Sequence, residues 1–534
     1  MTAAKKPTNE KLLDDDVKRL HDMGYAQELF RAMGGFSNFA ISFTVISVLS
    51  GCITLFYLIP TNGGFPVATI GWPIVTLFVL IVACGMAELA SAYPTAGGLY
   101  YWSSKLGGPG WGWFTGWFNL IGQVAVTAGI DYGLAVSVDV LLNAWFPSFP
   151  AKLATLTAID PATQWATLGI FGLFLVIHAF LNIHGVKIVA LLNDVSVWWH
   201  IAGVVLIVGA VVIASCFGSQ FTVDSGFKQA GAAVPLNSFK TLFTIDPKFN
   251  ATGFPLWYAV MLGLLLAQYT YTGYDASAHM SEETVGAATR APWGVVISVV
   301  VSAIAGYALL LGLSAAVPDL GAAGGYINPV LYILESRLGF IVGTLLFLVA
   351  IGAQFFCGMS SVTTNSRMIY AFSRDGAVPG SKNWHKLDKS RTPRNAIIFA
   401  AVFAFILAIP SVVSDVAYIA VTSIAVIGLY IAYIIPIILR QSAKDFKPGP
   451  WSLGKWSRPI GIVSIVWVVF IVVLFMLPTA SPVTVQSFNY TPVVMLGATA
   501  ILLIVWFAGA RKWFKGPKIQ GSAAELAAIE KELD

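Results

Sequence analysis

Long apolar stretches separated by short polar connections run along almost the whole chain. A helix needs about 20 apolar residues to cross the hydrocarbon core of a bilayer, and most of these stretches have about that length. We therefore predict twelve transmembrane helices. The predicted spans are 36–60, 71–92, 112–141, 166–184, 192–216, 255–280, 293–317, 340–365, 395–412, 416–439, 460–478 and 490–513.

Two of these stretches carry small and polar residues near their middle. In the first, Ser47 is followed by Leu49-Ser50-Gly51, and in the sixth, Thr272-Gly273 is followed by Asp275. Ser50 lies about 21 Å along the first helix, and Thr272-Gly273 lies at a similar depth in the sixth. Inside a membrane a helix is interrupted only where protein covers the break or where the break lines a water-filled cavity. The two breaks therefore predict a binding site near the membrane midplane.

Helices one and six lie five helices apart and run in opposite directions, as in a five-plus-five inverted repeat with discontinuous helices of the leucine-transporter type. This predicts an all-α membrane protein. Its predicted parts are an N-terminal segment 1–33, a first repeat 34–217, a connection 218–250, a second repeat 251–440, two further helices in 441–513 and a tail 514–534. The alternative is that Gly51 and Gly273 are small packing residues of the kind common between membrane helices.

The composition agrees with a polytopic membrane protein. The chain is 57% hydrophobic and 11% charged, whereas a soluble domain has about 25% charged residues. The first 33 residues are polar and charged, so we expect no cleavable signal peptide. The four cysteines lie in apolar segments at scattered spacing, so we expect neither a disulfide nor a metal site. They are Cys52, Cys84, Cys216 and Cys357.

The distribution of basic residues predicts the orientation. With the N-terminus inside, 26 of the 31 Lys and Arg residues fall in cytoplasmic segments, as the positive-inside rule requires. We therefore expect an integral plasma (inner) membrane protein with both termini cytoplasmic. The large outside connections 217–250 and 318–339 are predicted to hold short helices over an outward cavity, and the tail is predicted to form a short surface helix.

Five segments along the chain resemble those of a known family. They are Gly24-Tyr25-Ala-Gln-Glu28-Leu-Phe-Arg31, Phe39–Gly51, Glu88–Trp102 with its Pro-Thr-Ala-Gly-Gly motif, Gly273–Thr284, and Ser366–Pro379 with its Ser-Arg-Asp-Gly-Ala motif. The chain resembles the amino acid–polyamine–organocation transporters, and among them the amino acid/choline branch that includes fungal GABA and choline permeases. The resemblance covers nearly the whole chain in the family's order.

This resemblance implies a secondary active transporter that alternates between outward-open and inward-open states. Its site is expected between helices one, three, six, eight and ten, with the substrate carboxylate on the backbone of Leu49-Ser50-Gly51, where relatives have Gly-Ser-Gly. Tyr269 matches the family's aromatic gate, and its alternative role is ordinary packing. The candidate substrate-binding residues are Ser47, Leu49, Ser50, Gly51, Tyr269, Tyr271, Thr272, Gly273, Tyr274 and Asp275.

Asp275 has two compatible interpretations. As an acid at membrane depth it is expected to have a partner and to line the pathway, where it would pair with a substrate amine. Asp is also a preferred N-cap residue, and Asp275 stands where the second half of helix six would begin.

The coupling ion is predicted from helices five and eight. His200 lies about 12 Å into helix five, and an imidazole can change its charge near physiological pH. The resemblance implies that proton-driven relatives place a basic group there, so we expect proton coupling, with a packing histidine as the alternative. Ser360 and Ser361 of helix eight, with Thr363 and Thr364, supply hydroxyls for the competing prediction of a sodium site.

The predicted function is import of an amino acid or an amino-acid-like amine such as GABA. A choline, ethanolamine or polyamine transporter is the main alternative, because Tyr269, Tyr271 and Tyr274 offer a cation–π surface. An amino-acid exchanger is a further alternative. A channel is less favoured, because no filter repeat or charged ring is visible, and no enzyme motif is found. We expect no cofactor and no nucleic acid, contact with membrane lipids, and a monomer or weak homo-oligomer.

Overall fold

The chain folds as a bundle of long apolar helices. The computed structural model describes residues 9–146, 161–184, 186–217, 234–412, 417–485 and 487–533. Within these ranges eleven helices are long and apolar enough to cross a membrane, and a shorter apolar helix, Leu256–Thr270, belongs to the sixth span. The predicted all-α fold is confirmed. The helices are α1a (Gly35–Ile46), α1b (Val48–Thr54), α2 (Gly71–Ala92), α3 (Pro109–Trp145), α4 (Pro161–Ile183), α5 (Val186–Cys216), α6a (Leu256–Thr270), α6b (Ala276–His279), α7 (Ala287–Ala316), α8 (Pro329–Arg374), α9 (Arg394–Ala408), α10 (Ala417–Ser442), α11 (Ser457–Met476) and α12 (Thr491–Val505).

Helices one and six are both discontinuous, as predicted. The sixth is interrupted over residues 271–275, where Gly273 has φ of 98°. The first break is at Ser47, which has φ of 39°, so placing it at Ser50-Gly51 was wrong by three residues. The reason is local, because the Ser47 hydroxyl accepts a hydrogen bond from the Ser50 N–H at 3.3 Å. Ser47 thus caps a new helix, and Ser50 and Gly51 lie inside α1b.

Helix α8 also departs from the predicted span 340–365. It extends over Pro329–Arg374 and contains a non-helical residue, Gly339, with φ of 75° and ψ of 169°. Glycine adopts a positive φ without the steric penalty that other residues meet. The helical segment on the N-terminal side of Gly339 lies in the connection 318–339, where short helices were predicted, but it continues into α8.

Helices α3 and α10 touch each other through their backbones. A Cβ atom added at Gly428 would lie 2.9 Å from the Cα of Gly122, and one added at Gly122 would lie 2.6 Å from the backbone nitrogen of Leu429. Small residues permit this close approach between membrane helices. The two helices therefore form a fixed pair beside the breaks of helices one and six.

Two short helices lie over a cavity at one end of the bundle. They are Phe239–Phe243 and Leu320–Ala323, in the connections where short helices were predicted. The cavity has a volume of about 490 Å³, and Phe65, Lys240 and Asp319 are among the residues that line it. We call this the loop end of the bundle. Residues 218–233 of the connection 218–250 lie outside the described residues.

The opposite end carries the N-terminal segment from residue 9 and the tail up to residue 533, and we call it the terminal end. The predicted tail helix is present as Ala523–Leu533, but it does not merely lie on the surface. The Gln520 side chain accepts a hydrogen bond from the Ala26 N–H at 2.7 Å, and Glu530 accepts one from the Gln27 N–H at 2.7 Å. Glu530 also lies 2.8 Å from the Nε2 atom of His21. The tail and the N-terminal segment therefore form one layer.

Asp375 connects this layer to the end of α8. Its carboxylate accepts hydrogen bonds from the Tyr25 hydroxyl at 2.7 Å and from the Lys518 N–H at 2.9 Å. The carboxyl is fully buried by these contacts. Burial raises the pKa of Asp375 to about 7, because the loss of hydration outweighs the two hydrogen bonds and the Lys518 charge.

We predict that tail docking strengthens on acidification. The pKa of Asp375 is higher when docked than in water, so docking takes up a proton between the two values and weakens as the pH rises towards 7. The free energy of docking changes by at most about 1.4 kcal/mol per pH unit. Spin labels at Lys18 and Ala528, in a variant without the exposed Cys216, would report the docked fraction by their distance.

Asp375→Asn should make that docked fraction less dependent on pH. The control is Asp14→Asn, which removes an exposed carboxyl from the N-terminal helix and should behave as the unmodified chain does. An identical pH response in the Asp375→Asn variant and the unmodified chain would contradict the assignment.

Candidate functional site

The two helix breaks lie against each other in the centre of the bundle. The Ser42 hydroxyl on α1a lies 2.9 Å from the carbonyl oxygen of Tyr274 and 2.8 Å from the Ser277 N–H, which donates to it. Asn38 donates to the carbonyl oxygen of Ser277 at 2.9 Å. Since α6b cannot satisfy its own terminal backbone groups, α1a supplies their partners.

Glycines let the two broken helices approach each other. A Cβ atom at Gly273 would lie 2.1 Å from Cγ1 of Val45, and one at Gly51 would lie 2.4 Å from Oγ1 of Thr270. Contacts this short do not occur between real side chains, so both positions require glycine. These glycines do permit close helix packing, as the alternative interpretation states. The contacts that they permit join the two breaks.

Asp275 is held by helices α3 and α10. One carboxylate oxygen accepts from the Tyr433 hydroxyl at 2.7 Å, and the other accepts from Nε2 of Gln123 at 2.9 Å. The second oxygen also lies 3.3 Å from Nε2 of His279. Asp275 precedes α6b as a capping residue would, but its side chain makes no capping hydrogen bond. The interpretation as a side-chain cap was therefore wrong, since Ser42 provides the hydrogen bond.

The three tyrosines in and just before the break contact three different helices. The Tyr271 ring lies 4.6 Å from that of Trp72, and its hydroxyl lies 2.5 Å from Oγ1 of Thr76 on α2. The Tyr274 ring lies 5.0 Å from that of Tyr433 on α10. Tyr269 points to α3, where a Cβ atom at Gly129 would lie 2.5 Å from its hydroxyl. The three rings therefore do not converge on one point.

The hydroxyl of Tyr269 is unsatisfied and faces α3. The residue is 4% exposed, and its hydroxyl has no hydrogen-bond partner within the described part of the chain. A buried phenol normally finds a partner. The hydroxyl is therefore available to a polar group of a ligand.

The other candidate residues have structural contacts. Thr272 donates from its hydroxyl to the carbonyl oxygen of Tyr269 at 2.7 Å, which closes the turn after α6a. The Leu49 side chain faces α5, since a Cβ atom at Gly203 would lie 2.6 Å from Cδ1 of Leu49. Ser50 is 5% exposed in the first turn of α1b.

His200 contacts the non-helical residue of the first break. Its Nε2 atom lies 2.7 Å from the Ser47 hydroxyl, and its Nδ1 atom lies 2.8 Å from the carbonyl oxygen of Ser196. A carbonyl only accepts hydrogen bonds, so Nδ1 carries the proton of the neutral ring and Nε2 accepts from Ser47. A protonated ring would instead donate to Ser47, so the direction of this hydrogen bond depends on the charge of His200.

The hydroxyls of α8 are already paired with other helices. Ser360 donates to Oδ1 of Asn193 on α5 at 2.6 Å, and Ser361 lies 2.8 Å from Oγ1 of Thr127 on α3. Thr363 donates to Oδ1 of Asn182 on α4 at 2.6 Å. The hydroxyls expected to ligate sodium thus point to three different helices. In the described ranges, no cluster of three or more His, Cys, Asp or Glu side chains is arranged to hold a metal ion.

Two buried ion pairs close the site towards the terminal end. Glu283 accepts from Arg367 at 2.6 Å, and Glu282 accepts from Arg374 at 2.9 Å. Glu88, at the end of α2, lies 3.3 Å from Nε of Arg440 on α10 and takes no part in these two pairs. Each pair joins the segment after α6b to the end of α8. A buried pair of this kind is costly to break by removing one partner.

Sequence reasoning missed Gln123, Tyr433 and His279 as residues of the site. Gln123 had a usable signal, because a polar amide in the middle of a membrane helix needs a partner. No such signal identified Tyr433, since tyrosines are frequent in this chain and its partner is 158 positions away. His279 also had a usable signal, because its spacing of four from Asp275 places both on one helix face.

Comparison with known proteins agrees with this architecture. The sequence model of the family described as "Amino acid permease" matches residues 33–499. The chain is 42% identical over 524 residues to amino-acid permease BAT1 of Arabidopsis thaliana, covering 95% of this chain and 97% of the relative. It is 40% identical to the homolog of that permease in Oryza sativa subsp. japonica, with 94% and 96% covered. A candidate polyamine transporter of Candida albicans is 28% identical, with 98% and 92% covered.

We predict that Gly273→Ala disrupts the break of helix six. The new Cβ atom would overlap Val45, and alanine resists a φ of 98°, so we expect a destabilisation of about 1–3 kcal/mol. The measurement is the thermal unfolding midpoint of the purified protein in detergent. Gly497→Ala on α12 is the matched control, because no heavy atom lies within 4 Å of its added Cβ. Equal midpoints for the two variants would contradict the prediction.

Proposed function

The chain belongs to the amino acid permease family, and we propose that it is a secondary active transporter importing an amino acid or an amino-acid-like amine such as GABA. A permease of this family is not an enzyme. In the proposed mechanism the site between the two breaks opens alternately to the two ends of the bundle. A co-transported proton drives accumulation.

The observation that carries this proposal is the contact between the breaks at Ser47 and at residues 271–275. Broken helices at membrane depth occur in transporters where backbone groups meet a substrate or an ion. We assign the substrate carboxylate to the backbone of Ser47–Gly51. The free hydroxyl of Tyr269 is assigned to a polar group of the substrate, with its ring against the alkyl chain. Asp275 is assigned to holding α6b in place, because its carboxylate already has two donors.

The contacts of the tyrosines favour an amino acid over choline. A quaternary ammonium group is recognised by several aromatic faces around one point, whereas Tyr269, Tyr271 and Tyr274 face different helices. Polyamines and ethanolamine are the second candidates, since one relative is a candidate polyamine transporter. Those cations would need an acidic partner.

We further propose that the protein lies in the plasma membrane with its terminal end in the cytoplasm. Of the 31 Lys and Arg residues, 26 belong to the segments assigned to that side, which supports this orientation. The ion pairs of Glu282 and Glu283 then form the inner gate. The cavity below Phe239–Phe243 and Leu320–Ala323 is then the outer vestibule.

A proton is favoured over sodium as the coupling ion. His200 contacts Ser47 in a hydrogen bond whose direction depends on the ring's charge, so protonation changes the first break directly. The hydroxyls of Ser360 and Ser361, the sodium alternative, are engaged with α5 and α3.

A ligand screen tests the substrate class. Amino acids, GABA, polyamines and choline would be added to the purified protein and the thermal midpoint measured. We expect an amino acid or GABA to raise the midpoint, because a ligand that binds the folded state stabilises it. Tyr269→Phe should reduce that shift, since it removes the hydroxyl and keeps the ring. Stabilisation by choline but by no amino acid would overturn the assignment.

A second test addresses the coupling ion. His200→Ala should abolish accumulation driven by a proton gradient in proteoliposomes while leaving substrate exchange. His184→Ala is the control, because His184 is exposed and should support accumulation as the unmodified chain does. Accumulation that persists in His200→Ala, or that requires sodium, would show that the coupling assignment is wrong.

A further inference from the structure

Asp275 and His279 form a buried acid–imidazole pair on α6b and its preceding turn. Both side chains are fully buried, and Oδ2 of Asp275 lies 3.3 Å from Nε2 of His279. The pair is separate from His200, which contacts the other break. Both side chains are hydrogen-bonded to groups on the surrounding elements, so contact with a substrate does not account for their position.

The hydrogen bonds of His279 determine where its first proton lies. Its Nδ1 atom lies 3.0 Å from the carbonyl oxygen of Ala96. A carbonyl only accepts, so Nδ1 carries a proton. The Nε2 atom then faces Asp275 with a lone pair, unless one more proton lies between the two side chains.

The Asn119 amide can pair with Nε2 whether or not that additional proton is present. Asn119 on α3 has its amide nitrogen 3.2 Å from Nε2, while its amide oxygen has no partner within the described part of the chain. The orientation of an Asn amide is inferred from its hydrogen bonds. Turning this amide by 180° places the oxygen against Nε2, where it would accept from a protonated imidazole.

Among the residues that the structure describes, no cation balances the pair if the proton is absent. Helix α3 presents the neutral Asn119 and Gln123, and α10 presents the hydroxyls of Tyr430 and Tyr433. Tyr274 lies beside Asp275 on the same turn, and α1a contains no ionisable side chain.

The charged groups on the remaining elements have other partners. Arg290 of α7 donates to the carbonyl oxygen of Val285. On α8, Arg367 is bonded to Glu283 and Arg374 to Glu282. In the connecting helix Gly98–Gly107, Tyr100 donates to the carbonyl oxygen of Ala371 and Lys105 is exposed. Without the extra proton, the buried pair would therefore carry one uncompensated negative charge, which is costly in a dry site.

We propose that Asp275 and His279 share one proton in the arrangement seen here, and that they release it when α6b separates from α3 and α10. With the proton the pair is neutral, whether the proton lies on Oδ2 or on Nε2. Without it the pair has a charge of −1, which requires water. The proton passes to water entering beside α6b, so separation of α6b and deprotonation occur together. The link to transport rests on the proposed function, but the shared proton does not.

Infrared spectroscopy of the purified protein tests the shared proton without any substrate. A pH titration should show one coupled signal from the carboxyl and the imidazole. Asp275→Asn resembles the protonated acid and keeps partners for Tyr433 and Gln123, while His279→Asn keeps the donor to Ala96. Each variant alone should abolish the whole signal, and the double variant should lose nothing more. Asp139→Asn, which removes a buried carboxyl bonded to Thr167, is the control and should retain it.

A transport assay gives the second readout. Substrate exchange at equal pH on both sides should depend on pH in the unmodified chain, and that dependence should be weaker in Asp275→Asn and His279→Asn, in which His200 is unchanged. Independent titration of the two side chains, each persisting when the other is replaced, would overturn the proposal, and so would unchanged pH profiles of exchange in both variants. Absence of any exchange in the unmodified chain would count against the proposed function, and the infrared titration would still decide this inference.

Discussion

A helix that stops inside a membrane leaves backbone N–H and C=O groups that water cannot reach, and each must find a partner within the protein. Here the two interrupted helices provide partners for each other. Ser42 on α1a serves both the carbonyl of Tyr274 and the N–H of Ser277. Gly51 and Gly273 bring the backbones close enough for these contacts. The arrangement of α3, α5, α8 and α10 around the breaks depends on this mutual satisfaction, because neither break is stable in lipid without the other.

An imidazole lies beside each break. His200 on α5 contacts Ser47, and His279 contacts Asp275. In the proposed mechanism the first ring reverses a hydrogen bond on protonation, and the second shares a proton with a carboxylate. The terminal end adds two buried ion pairs between α8 and the segment after α6b. The docked tail reaches the same end of α8 through Asp375. Opening towards that end would have to separate charged groups as well as helices.

The sequence predicted those features that depend on local composition. The spans follow from apolar length, and the break at Gly273 follows from glycine and polar residues within an apolar stretch. The first break was misplaced by three residues because Ser47, Ser50 and Gly51 are all compatible with an interruption, and only the hydrogen bond from Ser50 to Ser47 distinguishes them. The side-chain cap by Asp275 failed for a related reason. Its local position is that of a capping residue, but Ser42, which caps instead, lies 235 positions away from Ser277. Long-range partners of this kind, including Tyr433 and Gln520, leave no periodic trace in one sequence.

The contact of Gly122 with Gly428 limits the width of the space that a substrate can occupy. Helices α3 and α10 already meet backbone to backbone, so the distance between them is at its lower limit. A side chain at either glycine would force the two helices apart, because its Cβ atom would overlap the facing backbone. Replacing one of these glycines would therefore widen the gap between α3 and α10. No substitution at these glycines can narrow that gap, since the two backbones are already in contact.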